Sequence, residues 1–442
     1  MTGAAVLGVH LMTLDRGVVR VGALMRDANR ATAFIPDEAY LQDDDRPVLS
    51  LGWFAPGDPE QSKARLAARF DKIGLYGHLP PWFQGLLPEG ALRDLVDAEM
   101  GPGEHDHFDV LLRLGADLPG AVLVIPDNAE APPSAGPISW EQVSGFKAPQ
   151  PQGSVKFSLA GVQLKFAAVA DGERLTVPAR AGDSRLILKL PSERYLGLPE
   201  AEFAGMTLAA AIGVRTAPVR LASTDLIAGV PKEFLQAPTA LVVERFDRAA
   251  HRRIHIEDTA QILSVWGDQK YTRANTETVL NMIRRFSTDW RDDILEAIRR
   301  IVADVLLGNG DNHLKNWSFI FPAPGAVRLS PAYDIVPTVL FQPRDELALR
   351  FAGKSKAFED INLQRFRRAA DYLKLSEKLI IGEVSRAVET ALDRWPALIG
   401  EMPLAKDQQR RLRDRLHALP LVREVTAQRP KDMTLRRPVA DG

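Results

Sequence analysis

Gly308-Asn309-Gly310-Asp311-Asn312-His313-Leu314-Lys315-Asn316 places eight polar or glycine residues among nine, directly behind Trp290–Leu307, where Ile294, Ile298, Ile301, Val302, Val305 and Leu306 recur at helical spacing. The apolar period predicts a buried helix, and Gly308 and Gly310 predict its end in a tight, exposed loop. Within that loop an Asp and an Asn stand five positions apart, at 311 and 316. Such a loop suits phosphoryl transfer: the Asp311 carboxylate takes the proton of an acceptor hydroxyl while the Asn316 amide oxygen reaches magnesium. Asp and Asn are also ordinary loop residues, so the pair has meaning only with partners elsewhere in the chain.

Downstream, Trp317–Phe321 and Val327–Leu329 read as short strands around the turn Pro322-Ala323-Pro324-Gly325. A hairpin of that length returns Asp334 to the side of the loop, where a second magnesium carboxylate belongs; alone, Asp334 reads as a turn residue ahead of Pro337. Upstream, Lys189 lies inside the apolar run Leu186–Leu190. An ammonium group in a buried strand needs a charged partner, which nucleotide phosphates would supply; an edge-strand lysine reaching water is the alternative. Pro199 opens a helix to about Ile212, on which Glu202 is placed to orient Lys189, with Glu200 competing. The stretch Ser158–Lys165 holds one glycine and matches no glycine-rich nucleotide pattern, although Ala160 and Gly161 permit close approach to phosphate; an ordinary hairpin turn fits it too. Leu241–Arg248 is a strand running into a charged break where strands give way to helices, the place for adenine to be read by backbone groups; a surface strand end is the alternative.

The 442 residues leave room for about three domains. The 56 basic and 57 acidic residues nearly cancel, which argues against a nucleic-acid or membrane-surface binder; Arg410–Arg415 and Arg429–Arg437 read as solvated surface. With no cysteine, disulfides, thiol catalysis and Cys-ligated zinc are excluded. No apolar run reaches the ~18–20 residues of a membrane span, and Met1–Leu7 lacks a leader's basic flank, so a cytoplasmic protein is expected. His251 and His255 have no third ligand and read as surface residues. In the first 125 residues, strands are expected at Val6–Met12, Val18–Leu24 and Gly120–Ile125, and helices at Ala91–Met100 and His107–Leu114. Pro126–Gly153 reads as a linker or covering loop. Strands follow at Val155–Leu159, Leu164–Val169, Leu175–Val177, Arg185–Leu190 and Ala240–Glu244. Beyond Phe246, helices are expected at Asp258–Val265, Thr276–Phe286, Trp290–Leu307, Leu363–Leu373, Ser376–Arg394 and Lys406–Leu419.

In order along the chain, Ser158-Leu-Ala-Gly-Val-Gln-Leu-Lys165, Ile187-Leu-Lys-Leu-Pro191, Glu244-Arg-Phe-Asp-Arg248, Glu257-Asp258 with Gln261, the loop Gly308–Asn316 and Tyr333-Asp334 resemble the motifs of HipA-type kinases, the toxins of bacterial HipBA toxin–antitoxin systems. Phe83–Gly90 and Phe108–Gly115 resemble that family's N-terminal part, so the resemblance covers nearly the whole chain. It implies an α/β, bilobal protein-kinase-like fold with an additional small N-terminal α/β subdomain (1–130), an N-lobe with phosphate loop and ATP lysine (131–245) and a mainly helical C-lobe (246–442). By the same resemblance Asp311 is the catalytic base, and Asn316 and Asp334 bind Mg2+. Lys189 and the loop of Ala160, Gly161, Val162, Gln163 and Lys165 hold the ATP phosphates, with His313 and Lys315 nearby. Glu244, Arg245 and Phe246 line the adenine, and Ser158 is an autophosphorylation site whose dianionic phosphate repels ATP and silences the kinase. The sequence departs from the family at Leu164, where an acid is common between Gln and Lys, and at Ala201, where many members carry Asn. The implied function is a serine/threonine protein kinase toxin that arrests growth and supports persistence by phosphorylating a translation factor such as an aminoacyl-tRNA synthetase. The implied partner is a helix-turn-helix, HipB-like antitoxin, with operator DNA bound mainly through it. The alternatives are a small-molecule phosphotransferase and a degenerate kinase acting as corepressor with such an antitoxin.

Overall fold

The alternating apolar runs at the start of the chain pair as a hairpin. Strands β1 (Ala5–Thr13) and β2 (Gly17–Arg26) are antiparallel, joined at Gly17 with φ +69°. With β3 (Thr32–Pro36), β4 (Ile73–Gly74) and β5 (Val122–Pro126) they form an antiparallel sheet in the order β4-β3-β2-β1-β5. The helices Ala91–Met100 and His107–Leu114 complete the subdomain, the latter opened by a reciprocal cap between Asp106 and Asp109. The computed structural model describes residues 5–100, 103, 105–127, 164–177, 184–192, 195–230, 232–235, 237–249, 252–342 and 345–428. The expected strand 155–159, Ser158, Ala160, Gly161, Val162 and Gln163, most of the 126–153 segment, His251 and the 429–437 tail lie outside the described residues.

A second sheet contains β6 (Lys165–Asp171), β7 (Arg174–Thr176), β8 (Leu186–Lys189), β9 (Val219–Ser223), β10 (Ile227–Ala228) and β11 (Thr239–Glu244), in the order β10-β7-β6-β8-β11-β9. Strand β11 is apolar at every central position because both its faces are covered. Ala240 and Val242 join the core shared with the N-terminal sheet, while Leu241 and Val243 join the core of the helices. The sheet therefore lies between the N-terminal subdomain and the helix Leu198–Ala211.

After Phe246 short strands come first, which the helical expectation passed over. β12 (Arg248–Ala249) and β13 (Arg252–Arg253) form a ribbon, and β14 (Ile256–Asp258) pairs with β15 (Ser318–Ala323), which pairs with β16 (Ala326–Leu329). The helix expected at 258–265 is reduced to Thr259–Ile262. The helices Thr276–Phe286, Trp290–Leu307 and Leu363–Leu373 match their expected bounds. The next, Glu377–Glu401, runs through Pro396: burial of Trp395 and Ile399 on either side outweighs the lost ladder bond, and the Trp395 indole donates to the Leu208 carbonyl at 3.0 Å. Lys406–Ala418 and a further helix, Pro420–Ala427, close the lobe. Two glycines set the backbone around the cleft. A Cβ on Gly205 would lie 2.2 Å from the Ile335 carbonyl oxygen, so only glycine lets the helix Leu198–Ala211 pass over the segment after Asp334. Gly308 ends Trp290–Leu307 in the left-handed region, φ +73°, against Val339.

Candidate active site

The helix Trp290–Leu307 buries Ile294, Ile298, Ile301, Val302, Val305 and Leu306, and that anchors the loop behind it. Full burial of each such side chain contributes roughly 1.5–3 kcal/mol. Asp304, near the end of this helix, braces the loop: its carboxylate accepts from Asn309 Nδ2 at 2.8 Å and Asn312 Nδ2 at 2.6 Å, and its carbonyl accepts from the Gly308 and Asn309 N–H groups. Burial pushes the Asp304 carboxyl up to about 7. Thr338 fastens the far side, its hydroxyl accepting from Gly310 N at 2.8 Å and donating to the Gly308 carbonyl at 3.1 Å. The Asp311 backbone carbonyl accepts from His313 N at 2.8 Å and from Asn316 Nδ2 at 2.9 Å. With its amide nitrogen engaged there, the Asn316 amide oxygen has no hydrogen-bond donor among the described residues and could ligate a cation. Burial pushes the Asp311 carboxyl up, while the Tyr271 hydroxyl, donating at 2.7 Å, favours the ionised form.

Asp334 comes back to this loop on the β15–β16 hairpin, as the hairpin length predicts, with φ +55°, a left-handed conformation that Asp tolerates better than most residues. Its carboxylate meets Lys165 Nζ at 3.1 Å and also Lys189, and Lys189 in turn meets Glu202. Register explains the first pair, since Lys165 of β6 and Lys189 of β8 stand directly opposite each other. Glu202 is buried on the helix Leu198–Ala211 and makes the contact with Lys189 for which Glu200 competes in the sequence. Burial opposes ionisation of Asp334, but the ammonium groups of Lys165 and Lys189 outweigh it and hold the carboxyl well below its usual range. Burial likewise opposes the charge on Lys189, and Asp334 and Glu202 keep it protonated. Two cations and two carboxylates thus balance in a buried cluster, which satisfies the rule that interior charge is paired.

Asp311, Asn316, Asp334, Lys165, Lys189, Glu202, Glu244, Arg245, Phe246, His313 and Lys315 all line one cleft of about 1330 Å3 between the sheet and the helical lobe. Phe246 and Tyr333 pack with ring centroids 5.6 Å apart and planes tilted by 37°, an aromatic wall on one side of the cleft. Burial, reinforced by Lys270 and Lys315, lowers His313 to about 3, so it is neutral at physiological pH. Among the described residues no group of three His, Asp or Glu side chains is placed to hold a metal alone. The donor set is two oxygens, the Asn316 amide and the Asp334 carboxylate, which fits magnesium completed by phosphate and water oxygens.

Several of these side chains have partners that the sequence did not indicate, and the surface reading of His255 is corrected. The Arg245 guanidinium is committed to Asp247, at 2.9 and 2.7 Å, within a buried cluster with Arg248, Arg253 and Asp117, so it offers the cleft no charge. The charged break read at Glu244–Arg248 is an internal seam: Asp247 accepts from Gly120 N at 2.7 Å and Arg248 donates to the Gly120 carbonyl at 2.9 Å, docking the N-terminal subdomain. His255 is no surface residue; it is buried, its Nε2 meets the Leu49 carbonyl at 2.9 Å, and burial lowers it to about 4. Lys315 lines the cleft, yet its ammonium group is tied to Glu89 at 3.1 Å. Sequence reasoning passed over Asp304, Tyr271, Lys270 and Glu89. An acid on the apolar face of a long helix was the one local signal, at Asp304; the other three are joined to the site only by folding.

Residues 157–395 match the family model described as the HipA-like C-terminal domain, and residues 15–125 match that of the HipA N-terminal domain. A protein of Sinorhizobium fredii named "Putative kinase Y4dM" is 37% identical over 85% of this chain and 88% of its own length. The serine/threonine-protein kinase toxin HipA of Shewanella oneidensis is 26% identical over 76% of this chain and 81% of its own. The solved structure of the Shewanella oneidensis HipA toxin–antitoxin system with HipB and its operator DNA matches with a TM-score of 0.67 at 22% identity, covering 96% of this chain and 100% of that one. That likeness establishes the bilobal kinase-like architecture with an N-terminal subdomain.

Proposed function

This chain belongs to the HipA family of kinases, and from that premise we propose that it is an ATP- and magnesium-dependent serine/threonine protein kinase and the toxin of a toxin–antitoxin pair. The observation that carries the proposal is the convergence in one cleft of Asp311, Asn316 and Asp334 with the buried lysines 165 and 189. In this reading Lys165 and Lys189 turn from Asp334 to the ATP phosphates, with Glu202 holding Lys189 in place. Magnesium, held by the Asn316 amide oxygen and the Asp334 carboxylate, supplies charge neutralisation on the phosphates. Asp311 receives the acceptor hydroxyl's proton as the hydroxyl oxygen bonds to the γ-phosphorus and ADP leaves. Glu244 to Phe246 line the adenine through their backbone. Phosphorylation of Ser158 is the off-switch, a translation factor such as an aminoacyl-tRNA synthetase is the target, and the setting is the cytoplasm. A helix-turn-helix antitoxin is the partner and supplies most operator contacts, in keeping with the near-neutral charge of this chain.

The test is transfer of labelled γ-phosphate from ATP with magnesium, wild type beside Asp311→Ala, with the labelled site mapped by mass spectrometry. Label on Ser158 in the wild type alone is the expected result. Equal label in both proteins, or none from an unphosphorylated preparation that binds ATP, refutes the reading.

A further inference from the structure

Tyr271 belongs to none of the motifs quoted above, and Glu89 lies in the N-terminal stretch Phe83–Gly90, to which no role in the site was given, yet both reach it. Tyr271 ends the 3₁₀ helix Gly267–Tyr271, donates from its hydroxyl to Asp311 Oδ1 at 2.7 Å, and lies edge-on to His313 with ring centroids 4.9 Å apart. Among the described residues this is the one hydrogen bond to the Asp311 carboxylate. The backbone of Asp311 is held separately, its N–H by Asn309 Oδ1 at 3.2 Å and its carbonyl by His313 and Asn316. The loop's own bonds therefore fix where Asp311 stands, while its side-chain torsions are closed by Tyr271. That bond occupies Oδ1 and leaves Oδ2 for an acceptor hydroxyl.

Tyr271 is in turn held from outside its own segment. The neighbouring Lys270 is buried and meets Glu89 Oε2 at 2.6 Å, and Glu89 Oε1 takes Lys315 of the catalytic loop at 3.1 Å. Lys315 also donates to the Gly85 carbonyl at 3.2 Å. One carboxylate of the N-terminal subdomain thus clamps both the segment that carries Tyr271 and the loop that carries Asp311.

We propose that Tyr271 is a positioning residue that aims the Asp311 carboxylate at the acceptor hydroxyl, and that Glu89 holds Tyr271 in register, so that the N-terminal subdomain contributes to phosphotransfer through this chain of contacts. The proposal rests on the reading of Asp311 as the acceptor's base. A misaimed base slows the proton-transfer step without loosening the nucleotide.

The experiment measures the single-turnover rate of self-labelling from γ-labelled ATP, against ATP concentration, in wild type, Tyr271→Phe, Glu89→Gln, the double variant and Asp311→Ala. Both single substitutions are close to isosteric. The saturated rate falls about tenfold in each, as expected for loss of a hydrogen bond to a charged group. Half-saturating ATP stays within about twofold, and the double variant is no slower than the slower single one, because both act through one bond. Unchanged rates, multiplying losses or an effect on half-saturating ATP alone overturn the proposal. A faster Tyr271→Phe overturns it too, and makes the hydroxyl an occupant of the acceptor's place. Hydrogen exchange of the 308–316 amides, read in the same proteins, needs no turnover, and it rises in both variants if the clamp exists. If the wild type labels no more than Asp311→Ala, the base assignment fails by itself, and unchanged exchange at 308–316 then overturns the clamp independently.

Discussion

Replacing Lys189 by Met removes one charge from a buried cluster of four while keeping nearly the same side-chain volume. Lys189 and Glu202 have side chains only 5% and 2% exposed, so neither charge can turn to water instead. Asp334 keeps Lys165 at 3.1 Å, but Glu202 has no other hydrogen-bond partner among the described residues. Breaking a buried pair from one side costs about 3–5 kcal/mol, and the Met packing adds little to that. Replacing both partners, Lys189→Met with Glu202→Met, removes the stranded carboxylate, and stability returns to within about 1–2 kcal/mol of wild type. Burial already pushes the Glu202 carboxyl up against the pull of Lys189. Without the lysine the folded-state value rises further above the unfolded one, so the single variant's deficit is smallest at low pH and grows as pH rises through the folded value. Urea unfolding at pH 5 and pH 8 measures this through the midpoint at constant slope. A single-variant cost under about 1 kcal/mol at pH 8, or a double variant as unstable as the single one, refutes the reasoning. On the proposed function neither variant recovers phosphotransfer, since both lack the lysine assigned there to the ATP phosphates.

Asp304→Ala strands the amide of the buried Asn309, at about 1–3 kcal/mol, and frees that of the half-buried Asn312, which water can satisfy at smaller cost. The expected result is a lower melting temperature with a fall in turnover larger than any change in ATP affinity, checked by calorimetry and labelled-phosphate transfer. Glu257 is buried with three donors and, among the described residues, no cation in contact: Ser50 Oγ at 2.5 Å, Leu51 N at 2.7 Å and Trp82 Nε1 at 2.7 Å, and burial raises it to about 8. Its contribution to stability is complete below the ordinary carboxyl value and is lost as pH rises through about 8, a swing on the order of 4–5 kcal/mol at most. Glu257→Gln flattens that part of the stability–pH curve, and equal slopes in chemical denaturation of the two proteins contradict it.

The helix Trp290–Leu307, the loop after it and the return of Asp334 were legible because each depends on residues near in sequence: an apolar period, a glycine stop and a hairpin length. The pairing of Lys189 with Glu202 was legible for a similar reason, one strand feeding the helix behind it. The segment after Phe246 misled because Arg248, Arg253 and His255 look like surface residues, whereas each is buried against the N-terminal subdomain. Charge in a sequence says nothing of whether its counter-charge will be met more than a hundred residues away.

By itself, then, the sequence determined the chemical inventory of the site and the local turns that present it, since backbone period, capping and loop length act over a few residues. Only the tertiary structure decided which groups govern those residues. Asp304 behind the loop, Tyr271 on Asp311 and Glu89 between two lysines come together by packing three separate parts of the chain around one cleft, and contacts of that range exist only once the cores on either side of the second sheet have formed.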